Sequence, residues 1–195
     1  MEILERNYAG NSLYQITTAF FEKRIVFVER EITNALADEF AKQIGFLQIS
    51  EPDALIRVVI NSPGGEVDAG LKMVDVLSGC ECPVEAYCFG QAYSMAAVIF
   101  EACPGKRKMV GHSKIMLHQP SVFSGASQKT AAEVEALSEQ MKEKARELLS
   151  IVSKRSGIPL KKLEKETISD RYFDAKEALS VGLADEIVTF GDMFF

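Results

Sequence analysis

No stretch of this chain approaches the ~20 consecutive apolar residues of a membrane-spanning helix, so no span is expected. The start, Met1-Glu2-Ile3-Leu4-Glu5-Arg6, is acidic and lacks an apolar signal core, which argues against secretion. Positive charge is in the minority. The 22 Lys and Arg face 28 Asp and Glu, and the net charge of -6 disfavours nucleic acid and anionic membranes as partners. Zinc-type Cys-x-x-Cys pairs are missing. The four cysteines, Cys80, Cys82, Cys88 and Cys103, sit in or beside apolar segments and read as reduced thiols of a cytoplasmic protein. Cys80, Cys82 and Cys88 are the one grouping a soft metal would suit, but the pattern calls for no metal and no cofactor. Gly105-Lys106 lacks the upstream glycine of a phosphate-binding loop, so the chain carries no nucleotide motor of its own. Internal repeats and low-complexity segments are absent as well. Histidine is scarce, with His112 and His118 alone, so candidates for a catalytic base are few.

What is present is a globular composition, 47% hydrophobic and 26% charged over 195 residues, sufficient for one domain with a substantial core. Residues 1–20 are poorly patterned and read as an N-terminal arm; 21–195 read as a single domain. Arg24–Glu29, Ile56–Ile60, Pro83–Cys88 and Lys114–Leu117 are β-branched or apolar runs, hence strands. Between them, Thr33 or Asn34 caps a helix to about Leu47, and Asp68 caps a second. Gly90-Gln-Ala reads as a turn, followed by an apolar helix from Tyr93 to about Cys103. Strand and helix alternate, which specifies an α/β architecture with largely parallel pairing. Residues 129–156 form a long helix with Val134, Leu137, Met141, Leu148 and Val152 on one stripe. It is entered from the polar segment starting near 121, and its stripe is expected either to pack on its own domain or to project toward another subunit.

Three segments suggest chemistry. Ser94 lies between a small-residue turn and the first turn of a helix, where unpaired N–H groups and the positive dipole end favour an oxyanion. His118 ends an apolar strand; alone it reads as a core histidine, and beside Ser94 as the base that takes the serine proton. Gly64-Gly65 after a strand lets backbone approach a substrate closely, with the N–H groups of Gly65 and Met95 available as oxyanion donors. In parallel sheets such residues gather beyond the strand C-termini. A triad further needs an acid on His118, and spacing leaves Glu164, Glu166, Asp170 and Asp174 all open.

Ile60-Asn-Ser-Pro-Gly-Gly65, Gly90-Gln-Ala-x-Ser94-Met, Met116-Leu-His118-Gln-Pro120 and Ser169-Asp170-Arg171-Tyr-Phe173 occur in the order and spacing of the Clp protease proteolytic subunit family. The chain resembles that family over about residues 22–190. The resemblance implies a serine endopeptidase with Ser94, His118 and Asp170 as triad and Gly65 and Met95 at the oxyanion. It implies a fold of repeated ββα units with the long helix as a handle, spanning about 121–156. It further implies homo-oligomeric, seven-membered rings stacked in pairs, fed with unfolded polypeptides by an AAA+ unfoldase ATPase. Substrate would add as a strand beside Gly64, Gly65, Glu66 and Val67 and along the segment from Ser121. The chain departs from the family pattern at Arg57 and Val59, where tyrosines are usual, and at Ser169, where Arg precedes the Asp. Val122-Phe123 replace a Gly-Gly pair. Tyr93 and Ala96 replace smaller residues and are expected to narrow the pocket beside Ser94. These departures keep a non-catalytic ring subunit as the alternative reading, with an acyl-CoA enzyme of the crotonase type a distant third.

Overall fold

The computed structural model describes residues 2–7, 10–120 and 130–194. The chain opens with a hairpin, β1 (Glu2–Asn7) against β2 (Gly10–Gln15), and a short helix α1 (Ile16–Glu22). Then follow β3 (Ile25–Val28), α2 (Asn34–Ser50), β4 (Ile56–Ser62), α3 (Val67–Gly79), β5 (Val84–Tyr93), α4 (Met95–Ala102), β6 (Arg107–Val110) and β7 (Lys114–Leu117). The long helix α5 (Ala131–Ser156), α6 (Leu160–Glu166), β8 (Arg171–Asp174), α7 (Ala175–Val181), β9 (Glu186–Val188) and a 3-10 turn (Gly191–Met193) complete it.

The main sheet runs β3-β4-β5-β6-β9, every neighbour parallel. Its inner strand β4, Ile-Arg-Val-Val-Ile-Asn-Ser, is buried at all but two positions, as a sheet covered on both faces requires. Helix α2 starts where the Thr33 hydroxyl accepts the Leu36 N–H at 3.3 Å. It then buries Leu36, Phe40, Ile44 and Leu47 at helical spacing. Helix α4, Met-Ala-Ala-Val-Ile-Phe-Glu-Ala, is buried from Met95 to Glu101 and forms the centre of the core between α3 and α5.

Two segments depart from the sequence reading. Gly90-Gln-Ala is a bend inside β5 instead of a turn. Up to Cys88 the strand pairs with β6; from Gln91 it pairs with β7. The strand changes partner at Phe89-Gly90, where Gly90 takes φ 94° and a Cβ would meet Asn61 Oδ1 at 2.7 Å. The apolar helix accordingly begins at Met95, two residues later than Tyr93. Residues 1–20, read as an unpatterned arm, include a paired hairpin and α1. That helix is held by aromatic contacts, Phe20 on Phe27 at 5.2 Å and Phe21 on Phe46 at 5.7 Å between ring centroids.

The long helix divides the two expectations held for it. Its second half packs on the domain through Ala145, Leu148, Leu149 and Val152. Its first half buries nothing, and Val134 of the apolar stripe is 53% exposed. Both ends are well closed: Thr130 and Glu133 make a reciprocal capping box, and Gly157 adopts the left-handed C-terminal conformation at φ 78°.

Candidate active site

The register of three adjacent strands brings the site together. Tyr93 of β5 pairs with Met116 of β7, and Leu117 of β7 pairs with Arg171 of β8. One step further along each strand lie Ser94, His118 and Asp170, side by side at one edge of the sheet. The backbone confirms the alignment, with the Ser94 N–H donating to the Met116 carbonyl at 2.8 Å. Beyond His118, the Gln119 N–H donates to the Thr167 carbonyl at 3.1 Å, tying that segment to the turn that leads into Asp170.

His118 Nε2 is 2.8 Å from Ser94 Oγ, and His118 Nδ1 is 3.3 Å from Asp170 Oδ1. With Nδ1–H directed at the carboxylate, Nε2 is left as acceptor for the serine hydroxyl. Ser94 sits at φ 54°, ψ -122°, a conformation rare for a residue with a Cβ. Such a backbone costs on the order of 1–3 kcal/mol, and it turns the hydroxyl out of a sharp strand-to-helix junction. Tight packing enforces it. A Cβ on Gly64 would meet the Tyr93 carbonyl at 2.7 Å and Ser94 Cβ at 2.8 Å.

Of the four acids left open by spacing, Asp170 alone reaches the imidazole. Asp174 caps α7 by accepting the Glu177 N–H at 2.8 Å, Glu166 lies 3.8 Å from Lys162, and Glu164 borders a separate groove with Gln119 and Arg146.

Gly65 forms a parallel bridge with Ile32: the Ile32 N–H donates to the Gly64 carbonyl and the Glu66 N–H donates to the Ile32 carbonyl, both at 2.8 Å. Successive amides of an extended strand point to opposite sides, so the N–H of Gly65 itself faces away from Ile32, toward the groove it lines with Ser94 and His118. The Gly64 N–H is held by the Ser62 hydroxyl at 3.2 Å, and that buried hydroxyl donates to the Arg30 carbonyl at 2.6 Å. Met95 opens α4, where the first N–H groups have no partner within the helix. Two backbone donors thus border the nucleophile from different elements.

The groove itself is narrow, about 80 Å³, and its walls are apolar: Val67, Met95, Val98, Leu117, Leu148 and Leu149. Val67 belongs to it, as does Pro120; Glu66 does not, its carboxylate accepting from Asn34 Nδ2 at 2.7 Å instead. Ser121 lies outside the described residues. Tyr93 does not narrow this groove. It projects from the other face of the sheet and meets the Tyr172 ring edge-on at 5.5 Å, while Ala96 is wholly buried. Away from the site, burial pushes the thiols of Cys88 and Cys103 up to about 12, which makes both poor nucleophiles.

Sequence reasoning missed three supports: Ser62, which holds the Gly64 amide; Ile32, which orients Gly65; and Tyr172, whose hydroxyl lies 3.4 Å from Asp170 Oδ2. The adjacent aromatics Tyr172-Phe173 were the available signal for β8 and hence for Tyr172.

Comparison with known proteins gives the family. Residues 8–190 match the family described as Clp protease. The ATP-dependent Clp protease proteolytic subunit 2 of Chlamydia pneumoniae is 35% identical over 188 residues, covering 96% of this chain and 91% of its own length. Subunit 1 from Chlamydia felis shows the same identity and coverage, and subunit 2 from Chlamydia abortus is 35% identical with 90% of its length covered. The α/β fold, a mixed and largely parallel sheet with helices, is that of the family. A match of this extent, carried across every strand that builds the site, makes the chain a member of the Clp protease family.

Proposed function

We propose that this chain is a proteolytic subunit whose Ser94, His118 and Asp170 hydrolyse peptide bonds in unfolded polypeptides. The observation that carries the proposal is the continuous contact from Ser94 Oγ through the imidazole to Asp170. His118 takes the serine proton as Oγ attacks the scissile carbonyl, and Asp170 stabilises the imidazolium that forms. The carbonyl oxygen becomes an oxyanion facing the N–H groups of Gly65 and Met95; each such donor is typically worth about 3–4 kcal/mol in the transition state. His118 then protonates the leaving amine, and water, deprotonated by the same imidazole, releases the acyl group from Ser94. The substrate lies extended beside Gly65, a β-strand addition in which main-chain bonds hold the peptide. The residue before the cut enters the groove of Val67, Val98 and Leu148, which suits an apolar side chain.

The relatives' names describe them as ATP-dependent, and this chain has no phosphate-binding loop. ATP hydrolysis therefore falls to a separate AAA+ unfoldase that delivers substrate. The unburied first half of α5, with Val134 exposed, supports association of copies into stacked heptameric rings. Four free cysteines favour a reducing compartment, and a cytoplasmic particle is the reading they support.

The test is turnover of fluorogenic peptides by the purified assembled protein. Apolar residues at the cleaved position should be preferred, and Ser94→Ala should abolish hydrolysis without altering assembly. Turnover that survives Ser94→Ala, or none in the assembled wild type, would refute the proposal.

A further inference from the structure

Asp170 is an unusually open member of such a triad: its side chain is 53% exposed. Among the described residues it has two side-chain partners, His118 through Oδ1 and Tyr172 through Oδ2. Its sequence neighbour Arg171 does not hold it. That guanidinium is turned to Glu177 and lies over the Phe173 ring at 4.3 Å. An exposed carboxylate free to rotate would spend part of its time away from the imidazole.

The sheet supplies a brace. Tyr93, Met116 and Tyr172 are register partners across β5, β7 and β8, so their side chains stand in one row on one face. The neighbouring row, Ala92, Ile115 and Phe173, faces the core and is fully buried. On the open face Tyr93 meets Tyr172 edge-on, with centroids 5.5 Å apart and planes at 86°. This contact fixes the Tyr172 ring, and Tyr172 is two residues from Asp170 on the same side of the chain, its hydroxyl 3.4 Å from Oδ2.

We propose that Tyr172 is a positioning residue for the catalytic acid: its hydroxyl holds Asp170 Oδ2, its ring is held by Tyr93, and the carboxylate is thereby kept on His118. The inference rests on the serine-peptidase reading above. The phenol is a donor throughout the working range, because desolvation, the Asp170 carboxylate and Tyr93 all raise its proton affinity above the ordinary tyrosine value. Tyr172 touches no reacting atom; it acts through Asp170. It is also the reason a bulky residue at position 93 is useful beside the nucleophile: Tyr93 supports the acid from behind the sheet and leaves the groove unobstructed.

The experiment compares kcat, KM and the pH profile of peptide hydrolysis for wild type, Tyr172→Phe, Tyr93→Phe and Tyr93→Ala, each in the assembled state. Tyr172→Phe removes one oxygen and keeps the ring. It should lower kcat by about 3- to 30-fold with KM unchanged, the range expected for one exposed hydrogen bond to a charged group. The acidic limb of its kcat/KM profile should move to lower pH, because an imidazole less supported by its carboxylate binds a proton less tightly. Tyr93→Phe should match wild type, since the ring contact is kept, and Tyr93→Ala should reproduce part of the kcat loss. Wild-type kcat and pH profile in Tyr172→Phe would overturn the inference, as would a loss confined to KM or an unmoved acidic limb. An inactive wild type would instead bring down the peptidase reading itself, so the two failures are distinct.

Discussion

Ser94 is the residue on which local strain and chemistry coincide. Its backbone at φ 54° and ψ -122° is held by neighbours that leave no alternative: Gly64 lies against it, and its N–H is fixed to Met116. Asp170 acts only through His118, so Asp170→Asn should preserve folding and assembly. It should lower kcat by up to about 10⁴-fold, because the amide favours the wrong imidazole tautomer; steady-state kinetics with native mass measurement checks both parts. A base that works only while unprotonated also gives the sign of the pH dependence. The hydrolysis rate should fall as pH is lowered from about 8 to about 5, where imidazoles take up a proton. A rate flat across that interval would contradict His118 as the base.

At the scale of elements, the Gly64-Gly65 loop is the most sensitive to a single methyl group. A Cβ at Gly65 would sit 2.3 Å from the Ile32 carbonyl oxygen and 2.6 Å from its nitrogen, both rigid backbone, with φ at 151°. Gly65→Ala should therefore lose on the order of 1–3 kcal/mol of stability and more than tenfold in kcat, because the amide it carries must shift. Gly79 closes α3 in open space: a Cβ added there would meet nothing within 4 Å. Gly79→Ala should be neutral or stabilising by up to about 1 kcal/mol, and thermal unfolding of the pair separates the two cases.

The predominantly apolar runs were legible in the sequence, and β3, β4, β7, α2 and α5 stand where apolar runs and helical periodicity put them. Strands β6, β8 and β9, whose few residues mix charged with apolar types, were not. Arg107-Lys-Met-Val110 opens on two adjacent cations and so shows no strand pattern; it gains its place from the Arg107 ion pair with Asp185, 78 residues away. Gly90 looked like a turn because a glycine at positive φ serves a turn and a strand bend equally well. Ser94, His118 and Gly65 were recognisable as chemistry from residue type and neighbours. The choice of Asp170 depended on a strand pairing across more than 50 residues, which spacing does not encode.

For the molecule as a whole, one buried network ties stability to pH. Glu101, with no exposure, accepts from Arg107 through one carboxyl oxygen, the other having no partner among the described residues, while Arg107 is shared with Asp185. Desolvation outweighs the attraction of Arg107 and raises the Glu101 carboxyl from 4.5 to about 8. The folded protein thus keeps a proton there that the unfolded chain releases. This contribution to stability is fully present below about 4.5 and is lost as pH rises through about 8. Glu101→Gln removes the titration and keeps a carbonyl for Arg107. The variant's melting temperature should gain on wild type between pH 5 and pH 8 by on the order of a few degrees; a constant difference would contradict a neutral Glu101.

Ser94 as a nucleophile activated by its neighbours is the claim from which the rest follows. Labelling the assembled protein with a fluorophosphonate, followed by peptide mapping, tests it most directly. One adduct on Ser94 is expected, absent in Ser94→Ala and strongly slowed in His118→Ala. No adduct in the assembled wild type, or equal labelling in His118→Ala, would contradict it.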